Sequence, residues 1–207
     1  MRKLIAAALL FCAPWAAAAE DGVSLLLRFL QNTPTAKITF QQTSLDGGGN
    51  IVGESRGRFW HRRPNFFRME YDPPDGIVVV SDGATLWTYE RDLQQVLVQP
   101  ASAAAGNSAL LDVLASGDLS DLRGGYILSS GVGGDLRWAH AETRAEDQTI
   151  RRMRLGFAED GRLLRVEMTD AFGGVAKLEV ESVLRKPPDD SVFRFVPPEG
   201  VDIVREE

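Results

Sequence analysis

The chain has 207 residues, 44% of them hydrophobic and 25% charged, enough for one domain that buries a sizeable core. Its formal net charge is −6, and an acidic surplus works against a polyanionic partner such as nucleic acid unless the bases cluster strongly. Cys12 is the single cysteine, which excludes an internal disulfide framework and a zinc site built on cysteines.

Residues 1–19 have the make-up of an export signal. Arg2 and Lys3 precede the apolar run LIAAALLFCAPW, and Ala17, Ala18 and Ala19 form a small-residue cleavage pattern before Glu20. The run falls short of the ~20 residues that a membrane span needs, and Pro14 interrupts it. Cys12 follows Phe11 rather than the small residue that lipid modification requires. Cleavage before Glu20 is therefore expected, leaving a single domain over 20–207 with no thiol. Loss of Arg2 and Lys3 leaves 21 basic against 29 acidic side chains, and export to the periplasm removes the chain further from nucleic acid.

Residues 21–32, DGVSLLLRFLQN, predict a first helix, with Asp21 as its cap and Val23, Leu26, Leu27 and Leu30 as its apolar stripe. Thr33-Pro34 ends it. From residue 36 the period changes to two: Ile38, Phe40 and Gln42 alternate with Lys37, Thr39 and Gln41, and LDGGGN, residues 45–50, supplies the turn to the next strand. That glycine run opens a strand and carries no Lys-Ser or Lys-Thr pair, so it is a turn and not a phosphate cradle. Phe67, Met69 and Tyr71 share one face of a strand that DPPDG, residues 72–76, breaks. IVVV, TLWTYE and LQQVLVQ follow as strands, with Ser81-Asp82-Gly83 as a turn between the first two.

The stretch at 101–122 loses this period. Leu110, Leu111, Val113 and Leu114 fall on one helical face after a cap at Asn107 or Ser108, and Gly117 with the polar run after it ends the helix. Strands then return as GYILSS, DLRWAHAE, TIRRMRLGF, RLLRVEMTD and VAKLEVESV. Met153, Leu155 and Phe157 face one way, as do Leu164, Val166 and Met168 on the next strand. A last strand in the proline-bounded closing segment carries Phe193 and Phe195 on one face.

The fold class is thus mainly β: about eleven antiparallel strands in hairpin order, apolar on one face and charged on the other. Such a sheet curls, either closing as a barrel or sandwich or remaining an open cup covered by the two short helices, at 21–32 and about 107–118. Periodicity does not choose between a filled core and a lined cavity.

The inventory for catalysis is thin. His61 and His140 are the two histidines, without an HxxxH or HxH partner, and are expected at the surface or at strand edges rather than on a metal. No GxSxG element occurs. No enzyme, metal or cofactor is expected. The densest stretch is RFWHRRPNFFRMEY, residues 58–71, whose ordinary reading is two strands around a proline corner, with aromatics in the core and arginines at the rim.

Residues 57–96, GRFWHRRPNFFRMEYDPPDGIVVVSDGATLWTYERDLQQV, resemble the signature of the LolA family of periplasmic lipoprotein carriers. In that family G-x-x-W-x-x-R-P-x-x-F precedes V-S-D-G-x-x-L-W-x-Y. Gly57, Trp60, Arg63, Pro64 and Phe67, then Val80, Ser81, Asp82, Gly83, Leu86, Trp87 and Tyr89, match in place. FQQTSLDGGGN and FRFVPPEGVDIV extend the likeness over nearly the whole chain after residue 19.

The resemblance implies an incomplete β-barrel with a helical lid over an apolar cavity, and a chaperone without enzymatic activity. Such a carrier accepts acylated lipoproteins from an inner-membrane ABC-type releasing complex (LolCDE-like) and delivers them to an outer-membrane receptor (LolB-like), as a monomer. By position Arg63 is the lid latch, Arg62 either shares that role or faces solvent, and Phe67 is the cavity aromatic. Met69 and Tyr71 share its face by alternation, and Phe40, Phe59, Leu86, Leu155, Leu164 and Met168 are expected to complete the lining, under a lid helix bearing Leu110, Leu111, Val113 and Leu114. Trp87 and Tyr89 either line the cavity or pack behind its wall. The chain ends soon after GVDIVREE, so the longer carboxyl-terminal segment of some members is expected to be absent or reduced. The competing readings are a module of the same fold that senses envelope stress or carries other lipids, and, more distantly, a lipid hydrolase.

Overall fold

The computed structural model describes residues 20–101, 113, 119–145 and 149–206. The expected export signal, Cys12 and the lid residues Leu110, Leu111 and Leu114 lie outside them.

Helix α1 (Gly22–Asn32) starts where Asp21 accepts a hydrogen bond from the Ser24 amide at 2.9 Å, and it ends at Thr33. Its buried stripe is Gly22, Leu25, Leu26, Phe29 and Leu30. Val23 and Leu27 are only half-buried, so the stripe is rotated from the one expected, because Phe29 and Gly22 belong to it.

The sheet is built from β1 (Thr35–Leu45), β2 (Ile51–Arg62), β3 (Phe66–Tyr71), β4 (Ile77–Asp82), β5 (Thr85–Glu90) and β6 (Gln95–Pro100). After α2 (Leu119–Gly125) come β7 (Tyr126–Gly133), β8 (Leu136–Thr143), β9 (Ile150–Phe157), β10 (Leu163–Asp170), β11 (Val175–Leu184) and β12 (Asp202–Arg205). All twelve form one sheet in the order β12-β6-β5-β4-β3-β2-β1-β11-β10-β9-β8-β7, which leaves β12 and β7 as edges and does not close. The hairpins follow the turn chemistry of the sequence. Asp46, for instance, accepts from the Gly48 and Asn50 amides, both at 2.9 Å, and Gly49 takes a positive φ of 83°.

Two expectations are corrected here. The closing segment is not a strand at Phe193 and Phe195: Asp190–Phe193 is a 3₁₀ turn, and the strand comes later as β12, which pairs parallel with β6. The described residues thus form twelve strands, in line with the expected sheet of about eleven. The polar run after Gly117, expected to end the second helix, is itself helical over Leu119–Gly125; of the expected helix at about 107–118 the described residues include Val113, which is helical and fully buried.

The sheet curls around α1. The helix packs on β7, β8 and β9, yet its Leu30 carbonyl accepts a hydrogen bond from Arg63, which follows β2. β8 and β2 are five places apart in the sheet, roughly 24 Å if the sheet were flat at about 4.8 Å per strand. The eleven-residue helix is only about 16 Å long, so contacts at both of its ends fit a concave sheet with α1 inside it.

Candidate functional site

The concave face presents Phe40, Phe59, Phe67, Leu86 and Leu155, all buried in one apolar cluster together with Leu25, Leu26, Phe29 and Leu30 of α1. Met69, Tyr71 and Met168 are half-buried and pack against it. Eight of the nine expected lining residues are thus brought together. Leu164 is the exception. A register shift between Leu163 and Arg165 against β9 inserts Leu164 as an extra residue, so Leu163 takes the buried position and Leu164 borders a shallow outer hollow with Arg162, Glu181 and Arg185.

The cup is plugged. Ile38, Phe40, Phe59, Met69, Leu163, Val166, Leu178 and Val180 line a void of about 20 Å³, room for about one water and far too little for an acyl chain. Any guest therefore has to displace α1 or the side chains around it. The larger hollow, about 460 Å³, lies at the opposite end of β2 and is polar, lined by Gln41, Gln42, Glu54, Arg56, Asp72 and Asp75 among others. Between the two, Tyr71 donates to Gln42 at 3.0 Å, and burial pushes its hydroxyl pKa up to about 12.

α1 is fixed at both ends. At its start, Ser130 of β7 donates to Asp21 at 2.9 Å and accepts from the Val23 amide at 3.0 Å. Gly22 touches the backbone of β8 so closely that a Cβ there would come within 1.9 Å of the Trp138 carbonyl oxygen, which is why this position tolerates only hydrogen. At its end, Arg63 Nη2 donates to the Leu30 carbonyl in the last turn, which also accepts from the Thr33 amide at 3.3 Å. Arg185 Nε adds a bond to Thr33 Oγ1 at 3.2 Å, and its guanidinium lies over Phe29. Partial burial lowers the Arg63 pKa.

The corner that carries Arg63 is held from below. Ser81, 1% exposed, donates to the Asn65 carbonyl at 2.7 Å and accepts from Gly83. Asp82 accepts from the Ala84 and Thr85 amides, and Gly83 takes a positive φ of 91°. The V-S-D-G stretch is thus the support of the R-P corner.

Arg62 does not share the bond to α1. It points to the convex side, pairs with Asp190 and lies over the rings of Phe66 and Phe193, at 4.5 and 4.9 Å. It pins the 3₁₀ turn to the outer wall. Trp87 and Tyr89 also face outward, under Phe195.

His61 is the main residue that sequence reasoning misplaced. It is 4% exposed and on the inner face, stacked on Phe59. Its position two residues after Phe59 was the available signal. His140 is half-buried, its pKa lowered first by burial and then by Arg154 and Arg152.

Comparison with known proteins decides the family. The profile described as "Outer membrane lipoprotein carrier protein LolA" matches residues 31–196. The chain belongs to the LolA family. Relatives named outer-membrane lipoprotein carrier protein include those of Nitrosospira multiformis, 34% identical over 89% of each chain, and Methylobacillus flagellatus, 36% identical over 93% of each. That of Ralstonia nicotianae is 33% identical over 99% of this chain and 97% of its own. Among solved structures, an uncharacterised conserved protein from Thermus thermophilus aligns with a TM-score of 0.54 at 18% identity, over 88% of this chain and 97% of its own, a likeness of fold. No helix among the described residues of this LolA-family chain is long and apolar enough to cross a membrane.

Proposed function

We propose that this chain is a periplasmic lipoprotein carrier: a monomeric, non-enzymatic chaperone. It takes acylated lipoproteins from an inner-membrane ABC-type releasing complex (LolCDE-like) and hands them to an outer-membrane receptor (LolB-like). The observation that carries the reading is the closed plug: an apolar concave sheet, an apolar helix seated in it, and an arginine from the far wall bonded to the end of that helix. Membership of a family whose members are named for carrying lipoproteins supports it.

The energetics suit a carrier that must also let go. Moving an acyl chain of about fifteen methylenes out of water is worth on the order of 12 kcal/mol. Lifting α1 exposes Leu25, Leu26, Phe29 and Leu30, at roughly 1.5–3 kcal/mol each, or about 6–12 kcal/mol together. Uptake and closure are therefore of similar size, and the small difference sets the direction of transfer. Arg63 acts as the latch on this balance, and Val113 belongs to the same apolar cluster as α1. Phe40, Phe59, Phe67, Met69, Tyr71, Leu86, Leu155 and Met168 receive the chains once α1 has lifted.

Depletion of the protein from cells is the test. Outer-membrane lipoproteins are expected to accumulate in the inner membrane; normal sorting in depleted cells that hold no second carrier would contradict the proposal.

A further inference from the structure

The inner face of β2 carries a histidine among apolar side chains at the end nearest Arg63. Phe59 and His61 both point inward, and the cross-strand neighbours of His61 are Ala36 on β1 and Phe67 on β3, both buried. The imidazole stacks on Phe59 with centroids 5.8 Å apart and planes at 22°. Neither ring nitrogen has a hydrogen-bond partner. Buried polar atoms are nearly always paired, and leaving them unpaired destabilises a fold that an apolar side chain would serve better. The imidazole thus lacks a structural reason in the closed form.

Its surroundings say what would satisfy it. Burial, and then the Arg63 charge, push its pKa down to about 4, so at neutral pH it offers one N–H donor and one lone pair. A cation would suit a carboxylate or phosphate; a neutral donor suits a carbonyl. Phe59, on which it stacks, lines the inner void. Arg63, two residues on, already holds a carbonyl oxygen, that of Leu30, and its Nε is also unpaired. In the closed form a carbonyl therefore sits at this mouth, on Arg63.

We propose that His61 is a hydrogen-bonding subsite inside the cup, donating its ring N–H to the ester or amide carbonyl that joins an acyl chain to its carrier. The inference rests on the acyl-carrying reading and adds to it a specificity: an acylated compound is held in preference to a bare hydrocarbon. When α1 lifts, the cargo carbonyl takes up the donors at the mouth, while the chain runs along Phe59 and Phe40 towards the polar end at Tyr71 and Gln42.

The test titrates the purified protein with methyl palmitate and with methyl hexadecyl ether, which has a chain of the same length without the carbonyl. Wild type is expected to bind the ester about tenfold more tightly. In His61→Leu the ratio is expected to fall to about one, with ether affinity unchanged or tighter. A wild-type ratio of one, or a ratio that survives the substitution, overturns the subsite while leaving acyl carriage intact. Binding of neither ligand to wild type overturns both. The wild-type comparison stands even if the variant fails to fold. A diacylglyceryl-cysteine peptide and dipalmitoylglycerol separate the sources of the carbonyl. A roughly tenfold loss in His61→Leu for the peptide assigns it to lipoprotein, a loss for the glyceride alone assigns it to free lipid, and a loss for neither overturns the subsite.

Discussion

Replacing Arg63 by leucine removes the donor that joins the β2–β3 corner to the last turn of α1. A hydrogen bond to a charged group contributes about 1.5–3 kcal/mol. Each ~1.4 kcal/mol is a tenfold change in an equilibrium, so α1 should open roughly ten- to a hundredfold more often. The start of the helix stays bolted through Ser130, Asp21 and the Gly22 contact, so the change concentrates in the last turns. Native-state hydrogen exchange reads this directly. Amides of the α1 half nearest Leu30 are expected to lose ten- to a hundredfold protection, while those of β9 and β10 keep theirs. Lysine at 63 keeps a charged donor and should fall between. Unchanged protection of α1 in Arg63→Leu, or an equal loss in α1 and β10, would refute the reasoning, the first because no latch exists and the second because the effect is global.

Gly22→Ala drives a methyl into the Trp138 carbonyl, and overpacking of this kind destabilises by about 1–3 kcal/mol or more, measurable as a lower urea midpoint. His61 makes stability pH-dependent. Its pKa is depressed to about 4 in the fold against ~6.5 in the unfolded chain. Its neutral form is therefore the one the fold favours, and that stability is complete above pH ~6.5 and withdrawn as pH falls towards 4. Between pH 7 and pH 5 wild type should lose about 2 kcal/mol more than His61→Leu in paired urea titrations; equal losses would contradict the burial argument. Arg62→Ala removes an exposed ion pair of little worth and two cation–π contacts of about 0.5–1 kcal/mol each. It should expose the 190–193 turn to limited proteolysis while lipoprotein uptake stays normal, in contrast to Arg63→Leu.

Much of this architecture is local and was legible as such. Alternation marks the inward faces at Ile38 and Phe40, at Phe67, and at Met153, Leu155 and Phe157, because a strand's side chains reverse at every residue. That rule fails where the backbone adds a residue, as at Leu164, and no local pattern announces a bulge. The pairing of β1 with β11 joins residues about 140 apart, and curvature depends on it, so periodicity left barrel, sandwich and cup undecided. Arg62 and Arg63 are adjacent and chemically identical. Strand parity and the chain reversal that follows send one to the convex wall and the other to α1, and only a folded chain separates their roles. His61 was misplaced because its polarity was weighted above its position, two residues from Phe59 on an inward face. Phe193 and Phe195 alternate like strand residues, yet each packs on different outer-wall rings from a turn and an extended segment.

The central claim is that the inner wall receives acyl chains when α1 lifts. Beyond residue 19 the methionines are Met69, Met153 and Met168, and all three belong to or pack against the concave apolar cluster. Protein made with a photoreactive methionine analogue therefore carries its reactive groups on that wall. Illuminated with a bound acylated lipoprotein, it is expected to cross-link at these positions to the acyl groups of the cargo. Binding of the lipoprotein with cross-links only within the chain, or only to the cargo's polypeptide, would contradict the account.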